Sequence, residues 1–527
     1  SSSLLQLRLP LRLLADFRYY MVCMLAALSV IISCEDFLDK MPDKRAEINS
    51  NQKISELLVS AYPNVDPMMI YEHRTDNVMD NGRRFGEPER MIVENYFWED
   101  ISETDWDAPE ALWNSCYGAI AAANQALDAI RKLGPDLGNG PQRGEALLCR
   151  AYAHFLLVNT FCQPYRKSSA SSDMGIPYVE EPETVIGKQY DRGTVASVYE
   201  KISRDIEEGF PLINDNSYAV PLYHFNKRAA AAFACRFYLF YGKYEQALSY
   251  AGAAIDEDPS SSLRNLKSYT ILTQSDEWRD RFISKDEPAN LLLVALRSRW
   301  GRNYTTQRYG NSDNIVNLLI YRSSGPWGKA LADFDLLFHA SGYPVKSQPK
   351  YNEIFEVTNE TAQTGQPHVV QMAFTTDETL LCRAEANVML KQYDDAARDL
   401  SFWYVKKGGG AASVSDIVDY YTTREAADKQ ALAKGELSPW LLLVKPFNAT
   451  FPVEDGVQEK MLQAVLHARR IETVFSGLRW LDVRRFGIEV VHNVEEKEPV
   501  VLPAGDLRRV IQLPQAVTAA GLSANPR

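Results

Sequence analysis

The stretch "RRIETVFSGLRWLDVRRFG", Arg469 to Gly487, mixes five arginines and two acids with Phe475 and Trp480. On a helix advancing about 100° per residue, Ile471, Val474, Phe475 and Leu478 share one face, and Asp482 returns close to it. The spacing therefore points an acid into the core. Arg485, three residues on, is placed to pair with it, while Glu472 and Arg479 stack seven apart on a flank. An unpaired buried carboxylate would cost several kcal/mol, so these charges need one another. Gly477 thins the helix where another element packs close. Catalysis would need an acid whose pKa is displaced upward beside a cleft. Guanidinium neighbours do the opposite and hold Asp482 ionised. Arg469, Glu472, Arg479, Asp482 and Arg485 thus read as a structural ion-pair staple, with no catalytic role.

A staple needs a frame to close, and helical periodicity dominates from about residue 50 to 255. Asp107-Ala-Pro-Glu110 reads as a capping box opening "ALWNSCYGAIAAANQALDAI". In "GKYEQALSYAGAAIDEDP", Gly242, Tyr244, Ala247, Ala251, Ala254, Ile255 and Pro259 stand where the second helix of a tetratricopeptide repeat sets its small residues and its terminating Pro. "RAAAAFACRFYLFY" supplies the first helix, and "RAEANVMLKQYDDAARDLSFW" repeats the pattern with Ala384, Tyr393, Ala396, Leu400 and Trp403. Small residues let paired helices approach closely, and one pair cannot bury its own face, so several must stack. An ordinary α-hairpin bundle is the alternative. The expected architecture is mainly α, a tetratricopeptide-like scaffold of helical pairs over about 50–255, 376–407 and 457–487. Long loop insertions with a few short strands interrupt it at about 260–368 and 408–456. Insertions of that length are functional loops or packing decoration.

The 527 residues, 46% hydrophobic and 24% charged, are those of an ordinary globular chain, rich in aromatics with 27 Tyr and 9 Trp. A net charge of -12 argues against a nucleic-acid partner, since phosphate binding relies on clustered Lys and Arg. The run Met21 to Ile32 is too short to span a bilayer, which needs about 20 residues, and fits the apolar region of a signal peptide. It ends in Ser33-Cys34, similar to a bacterial lipobox, so residues 1–33 read as a removed segment and Cys34 as the lipidated residue; a buried helix with a chance Cys is the alternative. Cys116, Cys149, Cys162, Cys235 and Cys382 form no C-x-x-C pair and read as small core residues, with no disulfide or zinc framework and no metal site.

The arginine-rich stretch resembles the closing signature of the SusD/RagB family, outer-membrane lipoproteins of Bacteroidetes-type bacteria. Arg469, Arg470, Glu472, Phe475, Gly477, Arg479, Trp480, Asp482, Arg484, Arg485 and Gly487 carry the likeness, while Ala468 and Ser476 replace two glutamates of the pattern. "WNSCYGAIAAAN", "GEALLCRAYAHFLLV", the tail "IQLPQAVTAAGLSANP" and "CEDFLD" are similar to further family segments in the same order, although Val517 stands where the tail has an acid. The resemblance implies one domain over residues 34–527, with four tetratricopeptide-like helix pairs bearing loops that form the ligand face. It implies a lipid-anchored protein at the cell surface that captures oligosaccharide, or in some branches peptide, and closes over a SusC-like TonB-dependent transporter. No cofactor is implied.

In sugar-binding relatives the loop before the first scaffold helix and the mid-chain insertion contribute the ligand site, which selects Trp98 and Trp106 from the first and Trp300, Tyr304, Tyr309 and Trp327 from the second. Their faces would stack on sugar C–H groups, and Asn77, Asp80, Asn81 and Arg83 would serve hydroxyls. Each is alternatively a packed loop anchor. No H-E-x-x-H, G-x-S-x-G or Walker motif occurs, and the 7 His are scattered, His154 reading as a packing residue. The acids of "WEDISETDWDAPE", Glu99 and Asp105 among them, leave an α-helical glycoside hydrolase as a lesser alternative.

Overall fold

The computed structural model describes residues 48–184, 188–303, 308–320, 322–331, 338–339 and 346–527. Cys34, Tyr304 and the segment 1–33 lie outside them. Residues 54–527 cluster as one unit. Of the other, 1–53, residues 48–53 are described.

The scaffold is made of antiparallel helix pairs. Helices α1 (Pro109–Leu133) and α2 (Gly140–Phe161) form the first, and α3 (Val195–Gly209) packs on α2. Next come α4 (Lys227–Tyr241) with α5 (Tyr244–Ala254), then α6 (Thr376–Met389) with α7 (Tyr393–Lys406). Asn226 caps α4 by accepting the Ala229 N–H at 3.0 Å, and Gly242 ends the helix in the left-handed region at φ 75°. The run Ala229–Ala234 and Ala247, Ala251 and Ala254 are all buried, so this pair closes on small side chains as the repeat spacing requires. Cys116, Cys149, Cys162, Cys235 and Cys382 are buried free thiols.

Three local readings change. Asp107 builds no capping box: the N-cap is Ala108, with Pro109 supplying a preset φ at the first helical position. Asp107 instead accepts hydrogen bonds from Ser298 Oγ and from the Arg299 N–H (2.9 Å), tying the start of α1 to the mid-chain insertion. The insertion 408–456 is not irregular throughout, since α8 (Val414–Ala433) fills its first half behind a Ser413/Asp416 capping box. Among its apolar residues only Ile417 and Tyr421 are buried, too few to print a stripe. The insertion 260–368 carries an antiparallel sheet of β1 (Asn290–Leu296), β2 (Ile354–Asn359) and β3 (Thr364–Thr375), with β3 in the centre.

The third change concerns the arginine-rich stretch, which is two helices, α9 (Val457–Glu472) and α10 (Leu478–Arg485). Phe475 (φ 68°) and Gly477 (φ 78°) turn the chain between them, so the face counted from Ile471 to Asp482 is not that of one helix. Gly477 is required there: a Cβ would lie 2.8 Å from Tyr71 Cβ and 3.0 Å from Met68 Cα. The carboxylate of Glu72 accepts the N–H groups of both Phe475 and Gly477 at 3.1 Å, and the Trp300 indole donates to the Phe475 carbonyl at 2.8 Å.

Candidate ligand-binding surface

Two buried ion clusters grow out of the break between α9 and α10. In the first, Arg469 donates to Glu385 (2.6 Å) and Asp482 (2.8 Å), and Arg485 reaches Asp482 at 3.3 Å and also grips Glu385. Burial opposes it, but Arg485 and Arg469 together hold the Glu385 carboxyl below its usual value. Asp482 goes the other way. Burial raises it against the pull of Arg469 and Arg485, and its Oδ2 has no hydrogen-bond partner. The two guanidiniums therefore serve Glu385 first, which corrects the expectation that they pull Asp482 below its ordinary range.

In the second cluster, Arg479 binds Asp76 through both carboxylate oxygens, and Lys445 adds a 2.9 Å bond. Glu472 and Arg479 do not share a flank. Glu472 accepts from the Trp403 indole (2.9 Å) and lies 3.6 Å from Lys407. Neither Glu385 nor Asp76 was singled out in the sequence; the signal available for Glu385 was its position between Leu381 and Val388 on the buried side of α6.

The candidate ligand residues separate into two groups. Trp98 is 1% exposed, donates to the Arg74 carbonyl at 3.0 Å and stacks on His492. Trp300 is buried against the edge of His73, and Trp327 packs between Tyr404 and His467. Tyr309 stacks on Tyr96 at 4.2 Å. Asn77 joins Arg470 to Glu72, and Asp80 is closed by Arg308 and by the N–H groups of Gly82 and Glu495. These six are core anchors with no free face, because aromatics of that size in an α-rich shell bury more area than a loop tip can leave exposed. Asn81 and Arg83 stay nearer the surface, Asn81 on the Asn311 carbonyl and Arg83 beside Glu495.

Trp106 is the partly exposed tryptophan of the set. It adopts the left-handed region (φ 52°), and the Asp105 carboxylate accepts its N–H at 2.7 Å. Arg297 lies over its ring at 4.3 Å and Arg299 at 5.8 Å. Arg297 also pairs with Asp105 (3.0 Å), and Arg299 with Glu89 (3.5 Å). Hydrogen bonding from Arg297 holds the Asp105 carboxyl below its usual value. Sequence reasoning missed Arg297 and Arg299; they flank the buried Ser298 in "RSR" just past the end of β1, and both reach the Trp106 ring. A partly exposed indole with a guanidinium over its ring and the Asp105 carboxylate paired to that guanidinium can offer its remaining surface to a sugar ring and the charged groups to hydroxyls.

Two hollows lie elsewhere. One of about 590 Å³ is largely apolar, with Trp113, Tyr117, Ile120 and Leu522 in its wall. The other, about 570 Å³, is polar and lined by Arg166, Arg484 and Arg509. Among the described residues no helix is long and apolar enough to cross a membrane, and no cluster of three or more His, Cys, Asp or Glu is placed to hold a metal ion. His154 is buried, its Nδ1–H donating to the Arg150 carbonyl (2.8 Å) and its Nε2 accepting the Val179 N–H (3.1 Å).

A SusD-like family model, described as "Starch-binding associating with outer membrane", matches residues 36–239. A SusD superfamily protein from Bacteroides vulgatus superposes with a TM-score of 0.61 at 19% identity, over 91% of this chain and 99% of that one. A SusD-like carbohydrate binding protein from the same organism gives 0.60 at 14% identity, over 90% and 96%. A laminarin binding SusD-like protein gives 0.53 at 17%, over 91% and 99%. No curated protein matches. The chain thus resembles SusD-like proteins in sequence over its N-terminal part and shares the fold of SusD superfamily structures along its length.

Proposed function

We propose that this protein captures oligosaccharide or polysaccharide at the outer-membrane surface and delivers it to a SusC-like TonB-dependent transporter, without making or breaking covalent bonds. The observation that carries the reading is the partly exposed Trp106 indole, with Arg297 over its ring and Asp105 paired to Arg297. The description of the matching family and the laminarin-binding relative support a glycan as the ligand. Asp105 speaks for binding over hydrolysis: a glycosidase acid must stay protonated near neutral pH, and Arg297 keeps this one ionised. Anchoring falls to Cys34, where several acyl chains at about 0.8 kcal/mol per buried methylene make a firm attachment.

The test is affinity electrophoresis and titration calorimetry against laminarin, starch and a panel of other glycans. Trp106→Ala should weaken binding of the cognate glycan by about tenfold or more, the scale of a lost stacking and hydrogen-bonding contact. Binding of basic oligopeptides with no glycan shift would assign peptide capture instead. Labelled palmitate incorporated at Cys34 checks the anchor.

A further inference from the structure

The polar hollow of about 570 Å³ does not share a residue with the Trp106 plate. Its wall holds three guanidiniums. Arg166 gives Nη2 to both oxygens of Asp173 (3.1 and 3.0 Å), which leaves its Nε buried without a partner. Arg484 is spent on main-chain oxygens, the carbonyls of Asn159 and Cys162, and its Nε is likewise unpaired. Arg509 bonds the carbonyls of Pro503 (2.6 Å), Val483 (3.2 Å), Ile488 and Leu502 (3.0 Å). Among the described residues neither Arg484 nor Arg509 has a carboxylate partner. Two carboxylates share the wall: Asp173, taken up by Arg166, and Asp506, engaged by Arg508 through Nε (3.0 Å) and Nη2 (2.7 Å).

Carbonyl oxygens satisfy the donors of a buried guanidinium without cancelling its charge. The positive charges consequently repel one another across the hollow. Burial first, and then the field of Arg484, pushes the Arg509 guanidinium down to about 10. Burial, with Arg166 acting in the same direction, lowers Arg484. An anion seated between them would relieve that repulsion. On a chain of net charge -12 such a field is local and selective. The volume is that of a small organic ligand and far exceeds a bare ion. Gln163 and Thr450, also in the wall, have side chains with no hydrogen-bond partner among the described residues, which leaves an amide and a hydroxyl to meet sugar hydroxyls.

We infer that this hollow is a subsite for the anionic substituent, carboxylate or sulfate ester, of an acidic glycan. The inference rests on the glycan-capture reading and narrows its ligand class. Either oxyanion would be met by single charge-assisted hydrogen bonds, from the unengaged Nε–H of Arg166 or Arg484, and by the uncancelled charge of Arg509.

The experiment is titration calorimetry of the full chain with oligogalacturonate, a sulfated oligosaccharide, a neutral galacto-oligosaccharide and sodium sulfate, repeated on Arg166→Gln and Thr450→Ala. Both substitutions lie at the partly exposed wall, and thermal melts check that each variant folds. At least one acidic oligosaccharide should bind, lose about tenfold or more in Arg166→Gln, as a charge-assisted contact does, and weaken steeply with added salt. Thr450→Ala should weaken the acidic oligosaccharide and leave sodium sulfate unaffected. Equal affinity for acidic and neutral sugars, or an acidic ligand indifferent to Arg166→Gln, overturns the inference. So does saturation by sodium sulfate that no acidic sugar displaces. Neutral glycan binding that depends on Trp106 but shows no acidic preference would sink this inference while sparing glycan capture; no glycan binding at all would sink both.

Discussion

Arg479 holds Asp76 through two parallel hydrogen bonds, Nε to Oδ1 and Nη2 to Oδ2, each 3.0 Å long, across 403 positions of sequence. Lys445 adds a third at 2.9 Å, and Arg470 stands 3.7 Å away. Burial opposes ionisation of Asp76, but Arg470, Arg479 and Lys445 prevail and hold its carboxyl well below the usual range. Asp76→Asn leaves three buried cations without their counter-charge, which should cost about 3–5 kcal/mol in urea denaturation. Arg479→Lys should cost less, since an ammonium keeps the charge but loses the paired geometry.

Trp98 and Trp106 sit eight positions apart and should behave oppositely. Trp98→Ala removes a buried indole between Arg74 and His492 and should destabilise the fold by about 3–5 kcal/mol in the same assay. Trp106→Ala should leave the melting curve nearly unchanged and weaken ligand binding. A Trp98→Ala protein that melts like wild type would contradict the core assignment.

Gly477→Ala tests the break between α9 and α10. The left-handed φ alone strains an alanine, and its Cβ would press on Tyr71 and on the Met68 backbone, so a loss of about 2 kcal/mol or more is expected. Gly505→Ala, where a Cβ meets nothing within 4 Å, is the control and should change little.

Four buried histidines, His73, His154, His467 and His492, set an acid limit, the first and last lowered by burial to about 4. Burial lowers His154 to about 3, and lowers His467, whose ring nitrogens meet Ser323 Oγ (2.8 Å) and Tyr421 OH (2.9 Å), well below its usual value. The unfolded chain takes up these protons as pH falls through about 6.5 while the native state does not. Their stabilisation is therefore complete above pH 6.5 and drains away below it, by about 3 kcal/mol for His154 at pH 4. Asp66, raised by burial to about 6, opposes this, binding its proton more readily when folded. Chemical denaturation from pH 7 to 4 should show a net fall, and His467→Gln should flatten it.

The helix pairs were legible because alanines at repeat spacing favour close helix–helix contact, as at Ala247, Ala251 and Ala254, all buried. The charge staple was legible in kind but not in wiring. Arg485 could be paired with Asp482 from local spacing, but Arg469 reaches it across the Gly477 break and Glu385 arrives from a helix more than eighty residues upstream, and spacing carries no such information. The Gly477 break was hidden because Ile471, Val474 and Leu478 keep a helical period across it. Trp98, Trp300 and Trp327 sit in loop-like sequence yet fill the core. A turn that packs its own tryptophan reads the same as one that displays it.

The ring of His492 lies between Tyr96 at 4.2 Å and Trp98 at 4.5 Å, and its Nδ1 meets the carbonyl of Tyr96, 396 residues earlier. At about 5–20 residues per second, a ribosome that has made Tyr96 and Trp98 needs roughly 20–80 s more to supply the ring that covers them. Through that interval the unfinished chain displays sticky aromatic surface. Anything that stalls elongation lengthens the exposure and with it the aggregation hazard of the nascent protein.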